Sequence, residues 1–485
     1  MSWALAGPLA EALDRAGYRY NGVAERLGAT AHLALSRNET TPAMRATAGG
    51  DHLDTLMRLW LLQQPVPLED AEAALPGLVD RLCVEGVLRR SVGEVAAAID
   101  VRPYATESVD LWVASDLTPG LDGSPNAVSA DHVLGISSAS TSLAQMTVRT
   151  PVSRALDLGT GCGVQALHLA AHAVNTVATD VNKRALWLTN LNLALNGISG
   201  VNTREGSFFE PVAHEVFDLI VTNPPFVISP ATGERLVYRD SGLPGDQVVE
   251  HVVRRAPQHL TSGGLCQILA NWAHVEGREW GERLGEWVTD CEAFIVEREV
   301  LDPAEYVELW LRDSGHQGAP DYTRRYDTWL SWFEEQQITG IGFGWINLRK
   351  SASSSVTALA WPHAIEQPIG PAISAHFDAN TWLALASDDA LRASHLVLRA
   401  DVAQETVGSP GAEDPEAIVL RQQVGLRRAW HATTAEAALV GACDGDLSIG
   451  QIMAALDDLI GVPDPAALVA SVRTLVEQGF LQPQA

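Results

Sequence analysis

The spacing of hydrophobic residues changes twice along the chain. Over residues 1–93 they recur every three or four positions, as between Leu5 and Leu13, which predicts helices. Over residues 94–362 short apolar runs alternate with helical patterns, which predicts an α/β domain with a doubly wound sheet. Residues 363–485 mix both patterns and predict an α+β domain. The pattern therefore indicates three domains.

The two ends of the chain share a pattern of successive helices. Residues 65–89 close on Glu-Gly-Val-Leu, and residues 435–481 have Glu-Gln-Gly-Phe-Leu in the equivalent place. Both segments resemble winged-helix units, which could grip a substrate, bind a protein partner or pair two chains. Packing alone explains them at least as well. Acidic residues in the candidate recognition helices argue against binding in a DNA groove. These acids are Glu69, Asp70, Asp457 and Asp458.

Composition narrows the class of protein. The chain has 485 residues, of which 46% are hydrophobic and 19% charged, as in ordinary soluble globular proteins. It has no apolar run long enough for a transmembrane helix, so we expect a cytoplasmic protein without membrane contact. Five scattered cysteines predict neither a disulfide framework nor a metal site. The net charge of −27 opposes non-specific nucleic-acid binding and favours a protein substrate, without excluding a local basic groove.

A glycine-rich turn joins an apolar strand, Ala155–Leu158, to a helix. Glycines occupy every second position of this turn: Gly159, Gly161 and Gly163. A dinucleotide site needs its last glycine three residues after the second, so the alternating spacing favours a different ligand. Asp157, before the turn, would repel a phosphate but suits an ammonium or sulfonium group. Asp180, at the end of the next strand, can accept both hydroxyls of a ribose.

A second motif, Asn223-Pro-Pro-Phe226, follows the apolar strand Phe217–Thr222. Open α/β sheets place their sites at the carboxyl ends of strands. Because Pro224 and Pro225 fix the backbone, the side-chain oxygen of Asn223 and the carbonyl of Pro224 can each accept one N–H of a planar NH2 group. Phe226 offers a flat face on which a base or an amide can stack. Alone, the tetrapeptide is more typical of an ordinary loop, but behind this glycine-rich turn it predicts an acceptor site.

Together the two motifs resemble those of class I S-adenosylmethionine (SAM) methyltransferases of the small-domain group. That group includes release-factor glutamine N5-methyltransferases and ribosomal-RNA guanine N2-methyltransferases. The resemblance covers roughly residues 150–275 and implies a Rossmann-like α/β methyltransferase core flanked by the two winged-helix-like ends. Where the family usually has Gly-Asp for the adenine amino group, this chain has Ser207, whose hydroxyl accepts more weakly. The resemblance implies SAM as cofactor, bound by Asp157, Gly159, Gly161, Gly163, Asp180, Ser207 and Asn223, and catalysis by Asn223, Pro224, Pro225 and Phe226.

The resemblance leaves the macromolecular substrate open. We expect methyl transfer to a planar NH2 nitrogen, either a glutamine side-chain amide of a translation factor or an exocyclic amine of an RNA or DNA base. Phe226 is more typical of the ribosomal-RNA enzymes, whereas the acidity favours a protein. Arg239 and Asp240 could hold the substrate, although a mutual surface ion pair is the more common case. The alternative is a non-catalytic winged-helix protein that senses SAM, which the intact motif disfavours.

Aromatic residues cluster in the second half of the α/β domain. Eight of the 14 tryptophans lie between Trp272 and Trp361. This clustering predicts an aromatic insertion near residues 302–338. Within it, Arg324 and Arg325 stand among aromatic residues and could stack on bases. The spacing is nevertheless more typical of an ordinary amphipathic helix.

Overall fold

The chain folds into two compact units in the computed structural model, which describes residues 4–106, 109–124, 128–230, 242–409, 415–461 and 464–484. One unit comprises Met1–Ala144 and Thr150–Ala360, and the other comprises Gln145–Arg149 and Trp361–Ala485. Residues 1–93 lie in the same unit as the α/β part, and their separation as a domain stays a prediction. Among the described residues, no helix is both long and apolar enough to span a bilayer.

Short helices dominate the start of the first unit. They are α1 (Ala6–Arg15), α2 (Tyr20–Leu35), α3 (Thr41–Ala46), α4 (His52–Leu56), α5 (Leu68–Ala74) and α6 (Val79–Val84), with a π-helical turn at Met57–Leu61. Three short strands, β1 (Val66–Pro67), β2 (Leu88–Arg90) and β3 (Glu94–Ala97), form a sheet in the order β1-β3-β2. A separate hairpin follows, made of β4 (Asp100–Ala105) and β5 (Asp110–Ser115). The winged-helix interpretation stays a prediction.

The consecutive strands β3 and β4 are separated by only two residues but belong to different sheets. The pairing of β3 with β2 extends one residue beyond β3, where the N–H of Ala98 donates to the carbonyl of Val87 (3.0 Å). Tyr18 then anchors the hairpin to the helices. Its hydroxyl donates to the carbonyl of Val101 (2.7 Å), and its own carbonyl accepts from the indole N–H of Trp112 (2.6 Å).

The α/β part is built on a sheet of eight strands, which confirms the expected doubly wound class. The strands are β6 (Val152–Leu158), β7 (Ala173–Asp180), β8 (Val201–Glu205), β9 (Phe217–Thr222), β10 (Leu260–Val275), β11 (Cys291–Leu301), β12 (Ile338–Lys350) and β13 (Ser355–Ala360). Their order is β13-β11-β12-β10-β9-β6-β7-β8, and β12 alone runs antiparallel to its neighbours. From β6 the chain adds β7 and β8 on one side, and then crosses to β9 on the other side of β6. The carboxyl ends of β6 and β9 therefore form the topological switch point where such sheets bind ligands.

Helices pack on both faces of this sheet and at its carboxyl edge. They are α7 (Ser138–Met146), α8 (Val164–Leu169), α9 (Lys183–Leu195), α10 (Gln247–Arg255), α11 (Trp280–Gly285), α12 (Pro303–Asp313) and α13 (Tyr322–Glu335). The last two lie between β11 and β12, where the aromatic insertion was expected. They pack on Ile228, just beyond the Asn-Pro-Pro-Phe segment, through Tyr306, Leu311 and Phe333. The insertion therefore lies beside the predicted acceptor site.

The second unit combines helices with two small sheets. Its elements are α14 (Gly370–Leu385), α15 (Asp388–Ala393), β14 (His395–Leu398), β15 (Val402–Val407), β16 (Ala417–Gln422), β17 (Ala429–Ala432), α16 (Thr434–Gly441), β18 (Asp444–Ser448), α17 (Ile449–Ile460), α18 (Pro465–Glu477) and β19 (Leu481–Pro483). The sheets have the orders β18-β14-β19 and β15-β16-β17. The unit has its own core, which includes Leu396, Leu439, Val472 and Phe480.

Candidate active site

The glycine-rich turn after β6 needs glycine at all three positions. Gly159, Gly161 and Gly163 have φ of +76°, +57° and +89°, a region that other residues rarely adopt. A Cβ at Gly163 would also lie 3.0 Å from the side chain of Thr189 on α9. The turn is held by Thr189, whose hydroxyl donates to the carbonyl of Gly161 (3.0 Å). It is a rigid, pre-formed loop that lets a ligand approach the backbone closely.

Asp157, near the end of β6, stabilises this loop through two hydrogen bonds. Its carboxylate accepts from the hydroxyl of Thr160 (2.5 Å) and from the N–H of Ala166 (2.9 Å), and only 1% of the residue is exposed. Burial raises the pKa of Asp157 to about 7, against the stabilising effect of these two hydrogen bonds. The nearby Asp180 raises it slightly further. A cation placed beside this carboxylate would be strongly favoured.

Asp180, at the end of β7, fixes the other side of the loop. One carboxylate oxygen accepts from the N–H of Gly161 (2.9 Å) and the other from the N–H of Asn182 (2.8 Å). Each oxygen keeps a further acceptor position. Burial raises the pKa of Asp180 above its ordinary value. The carboxylate is thus oriented and can still accept from two hydroxyls.

The Asn-Pro-Pro-Phe segment begins where β9 ends, directly beside β6. Leu158 and Thr222 are paired across the two strands, and the hydroxyl of Thr222 donates to the carbonyl of Leu158 (2.7 Å). The next residue, Asn223, has a buried side-chain oxygen with no hydrogen-bond partner among the described residues. Buried polar atoms are nearly always paired, so an orphan of this kind points to an absent ligand.

One cavity of about 460 Å³ brings these residues together. Its size suits a small ligand, since such sites usually have roughly 300–1,000 Å³. The predicted residues that line it are Asp157, Gly159, Gly161, Asp180, Ser207, Asn223, Pro224 and Pro225. Gly163 and Phe226 are not among its lining residues. Gly163 instead opens α8, and the ring of Phe226 meets Trp310 edge-on, with centroids 6.5 Å apart.

Sequence reasoning missed one wall of the cavity, which is formed by His132, Val133, Leu134 and Gly135. The N–H of Val133 donates to Asp116 (2.8 Å), and Asp116 also binds the guanidinium of Arg184. The wall is therefore tied to the start of α9, just beyond Asp180. Its residues carry no local motif, because the contacts that place them join residues 68 positions apart.

Ser137 and Ser140 at the start of α7 also line the cavity, as do Val181 and Phe208. The N–H of Ser137 donates to the hydroxyl of Ser140 (2.8 Å), and the N–H of Ser140 donates to the hydroxyl of Ser137 (3.2 Å). This reciprocal pair caps the helix. Its serine content was a sequence signal for this role.

The aromatic insertion gives little support to base stacking by arginine. Arg324 and Arg325 both pair with Asp321, at 3.3 and 2.6 Å. Phe333 is the buried side chain of α13, as in an ordinary amphipathic helix with one face on the core. Residues Arg239 and Asp240 lie outside the described residues. No group of three or more metal-ligating side chains occurs in the part of the chain that the structure describes.

Two family models match the chain. One, described as a methyltransferase small domain, covers residues 128–294, and one described as a domain of unknown function (DUF7059) covers residues 15–98. Among solved structures, the T. thermophilus 16S rRNA N2 G1207 methyltransferase in complex with AdoMet and guanosine is 19% identical with a TM-score of 0.27. The match covers 43% of this chain and 56% of that one.

Curated relatives match about a quarter of the chain. The chain is 36% identical over 132 residues to the ribosomal protein uL3 glutamine methyltransferase of Bradyrhizobium diazoefficiens, covering 24% of this chain and 41% of that protein. It is 34% identical to the release factor glutamine methyltransferase of Xylella fastidiosa, covering 24% and 47%. It is 30% identical to the ribosomal RNA small subunit methyltransferase C of Alcanivorax borkumensis, covering 24% and 32%.

The chain thus spans less than half the length of each of these relatives. They nevertheless confirm the small-domain group that the two sequence motifs indicated. Residues 128–294, which match the methyltransferase small-domain model, contain most of the doubly wound sheet and the Asn-Pro-Pro-Phe segment at its cavity.

Proposed function

We propose that the protein is a SAM-dependent N-methyltransferase that acts on a planar NH2 nitrogen of a macromolecule. The buried, unpartnered side-chain oxygen of Asn223 carries this proposal, because it lines the same cavity as the glycine-rich loop, Asp157 and Asp180. An acceptor left without a donor in this position suits an incoming N–H group. The relatives at 30–36% identity are named as glutamine and ribosomal-RNA methyltransferases, which supports methyl transfer to a macromolecule.

The residues of the cavity fit SAM. Asp180 keeps acceptor positions for the two ribose hydroxyls, and Asp157 favours the cationic methionine end. Ser207 is the proposed, weaker acceptor for the adenine amino group. Val133, Leu134 and Val181 supply apolar walls. When bound, SAM supplies the electrophilic methyl group, and its sulfur takes the electron pair of the broken carbon–sulfur bond.

The residues on the acceptor side of the cavity act by orienting the NH2 group. The side-chain oxygen of Asn223 and the carbonyl of Pro224 accept the two hydrogens of the NH2 group, which leaves the nitrogen lone pair directed at the methyl donor. The nitrogen gains the methyl group and releases one proton to water. The two groups proposed to hold the acceptor, the Asn223 oxygen and the Pro224 carbonyl, are weak bases, so we attribute most of the acceleration to positioning.

We favour a glutamine side-chain amide of a protein as the substrate. No Lys or Arg occurs among the described residues that line the cavity, and the chain carries a net charge of −27, so little is available to bind phosphates. The two relatives with 34–36% identity are named as glutamine methyltransferases.

An exocyclic amine of a nucleic-acid base is the second candidate. Phe226 at the fourth position of the motif and the relative named as a ribosomal-RNA methyltransferase favour it. A base within a duplex would first have to flip out of its stack. A protein that only senses SAM is disfavoured, because sensing gives no reason for an orphaned acceptor beside the methyl donor's cavity.

Transfer of label tests the proposal. Methyl-labelled SAM and the purified protein are added to extract from cells that lack it, and labelled macromolecules are digested in parallel with protease and nuclease. We expect label that only protease releases. Release by nuclease would replace the amide with a base, and absence of label together with tight SAM binding would favour the sensor.

A further inference from the structure

Both ends of the acceptor segment are fastened to neighbouring elements. At its start, Thr222 is bonded to the strand that carries the glycine-rich loop, as described above. At its other end, the N–H of Ile228 donates to the hydroxyl oxygen of Tyr306 (2.8 Å), which lies on α12 of the insertion. Ile228 and Tyr306 are both fully buried. The five residues between Thr222 and Ile228 are thus held from the cofactor side and from the insertion side.

The helix α12 contacts the segment at two points. Tyr306 receives the N–H of Ile228, and Trp310, one turn further on, meets the ring of Phe226 edge-on. Both side chains come from the same face of α12, because residues four positions apart lie above one another on a helix. The acceptor segment therefore follows the position of this insertion helix as well as that of the sheet.

The hydroxyl of Tyr306 is the unusual part of an otherwise apolar cluster. Its ring lies among Trp329, Phe333 and Phe343, with centroids 5.8–6.5 Å away. A phenylalanine would fill the same space without burying an oxygen. Besides Ile228, the amide of Asn271 also donates toward this oxygen, at 3.5 Å. The hydroxyl thus supplies a hydrogen bond to the backbone where the acceptor segment leaves the cavity.

We propose that Tyr306 is a positioning residue, whose hydroxyl fixes the backbone at Ile228 and thereby the direction in which the oxygens of Asn223 and Pro224 face the cavity. This inference rests on the proposed N-methyl transfer. It adds that an element outside the small domain, α12, sets the geometry of the acceptor site. A displacement of about 1 Å at such a site can cost a hundredfold in rate.

The direct test measures the backbone hydrogen bond itself. In Tyr306→Phe the amide of Ile228 loses its acceptor, so we expect its hydrogen exchange, followed by mass spectrometry of peptides covering 222–230, to accelerate at least about tenfold. Tyr326→Phe is the matched control, because it removes a phenolic hydroxyl from the same insertion, one that donates to Glu308 (3.0 Å) and does not contact the segment. Unchanged exchange in Tyr306→Phe would overturn the proposal.

The catalytic consequence is measured with the same two variants. We expect Tyr306→Phe to slow label transfer from saturating methyl-labelled SAM into the cell extract by about tenfold to a hundredfold. The Kd for SAM and the Tm should match those of Tyr326→Phe, because the cofactor side and the ring packing are retained. A loss of activity that only follows a fall in Tm, or full activity, would also overturn the proposal.

The two measurements separate this inference from the proposed function. If the wild-type protein transfers no label, the proposed function fails, while faster exchange at Ile228 still shows that Tyr306 holds the segment. If the wild type transfers label but Tyr306→Phe exchanges and reacts like Tyr326→Phe, the function stands and the positioning role is wrong.

Discussion

At the scale of single residues, Asn223 is the clearest conflict between stability and function. A buried oxygen without a donor destabilises the folded state by about 1–3 kcal/mol. Its side chain nevertheless lines the cavity rather than bonding to the protein. Strain or unpaired groups at a site are expected where the partner is a ligand, which is why the orphaned oxygen carries more weight here than the motif alone.

We expect Asn223→Ala to slow methyl transfer about a hundredfold or more, because one of the two acceptors that orient the NH2 group is lost. SAM should bind with a Kd within about twofold of the wild type, since we assign the Asn223 oxygen to the acceptor NH2 group and not to SAM, and Asp157 and Asp180 are untouched. The free energy of unfolding should stay level or rise by about 1 kcal/mol. Label transfer, calorimetric SAM titration and urea unfolding measure the three quantities.

Asn192 provides the matched control for this substitution. It is equally an asparagine near the cavity, but its amide donates to the carbonyls of Ala114 (2.8 Å) and Cys162 (2.7 Å) and accepts from the N–H of Ala114 (2.6 Å). Asn192→Ala should therefore lower the free energy of unfolding by about 2–4 kcal/mol. A comparable loss in Asn223→Ala would show that Asn223 is structural.

Asp157 predicts how SAM binding depends on pH. Its pKa of about 7 means that the free protein is largely protonated at this position at pH 6 and ionised at pH 8. A cationic ligand selects the ionised form, so the Kd for SAM should be about tenfold weaker at pH 6 than at pH 8. Calorimetry at the two pH values tests this, and Asp157→Asn should weaken binding at pH 8 and abolish most of the difference. A Kd independent of pH in the wild type would place the cation elsewhere.

The same carboxyl also affects stability, with a definite sign. Its pKa is raised from the ordinary 3.8, so between about pH 4 and 7 the folded protein binds more protons than the unfolded chain. Stability therefore falls as pH rises through this window, and the penalty is fully present above it. Asp157→Asn should remove that decline, seen as a smaller pH dependence of the urea midpoint. Burial also raises the pKa of Asp180, so the variant should keep part of the decline in stability with rising pH.

At the scale of elements, glycines occupy every second position at the start of β12, at Gly340, Gly342 and Gly344, and packing explains this pattern. Trp272 on β10 lies across this strand, donates to the carboxylate of Glu297 (2.9 Å) and stacks on Trp280. A Cβ at Gly344 would lie 2.0 Å from the carbonyl oxygen of Val296 and 2.7 Å from the ring of Trp272. The glycines thus make room for a large ring between strands.

We expect Gly344→Ala to lower the free energy of unfolding by more than about 3 kcal/mol, because the clash involves backbone and a ring that cannot move aside. Gly340 in the same strand is the control, since its nearest neighbour would be a methyl group of Val300 at 3.2 Å. Gly340→Ala should cost clearly less. Equal effects, measured by urea unfolding, would mean that the strand simply tolerates no side chain at either position.

The two ends of the chain share a local structure, but their strands follow one another in a different order along the sequence. Gly86 and Gly479 have φ of +76° and +77° and end α6 and α18 in the same way, with the following residue donating to a carbonyl five positions back. The sheets match as well, in the orders β1-β3-β2 and β18-β14-β19. In the C-terminal unit, however, the middle strand β14 precedes the helices. The repeated sequence pattern indicated the similar helix ends at Gly86 and Gly479. It did not predict that β14 comes before the helices.

Part of the candidate site was also predictable from the sequence, and part was not. The turn at Gly159–Gly163 and the segment at Asn223–Phe226 were predictable because each depends on local backbone chemistry. The wall at His132 and the contact from Tyr306 were not predictable, because they depend on side chains that meet across 68 and 78 residues. Long-range packing leaves no spacing in the sequence.

At the scale of the whole molecule, the cavity belongs to the first of the two units. Every described residue that lines the cavity belongs to the first unit, and the second unit has its own buried core around Leu396, Leu439 and Phe480. A protein partner or a dimer formed through the terminal helical segments stays a prediction. The arrangement does, however, predict how the protein should melt.

We expect calorimetry to show two unfolding transitions, of which SAM raises only one. Ligand at a hundred times its Kd stabilises the unit that binds it by about 2.7 kcal/mol, which shifts that transition upward by several degrees. The other transition, assigned to the unit of Gln145–Arg149 and Trp361–Ala485, should not move. Asn223→Ala should retain the shift and Asp180→Ala should lose it, because only Asp180 is proposed to hold the ribose. A single transition that SAM raises as a whole would show that the two units unfold together, and no shift at all would contradict SAM binding at this cavity.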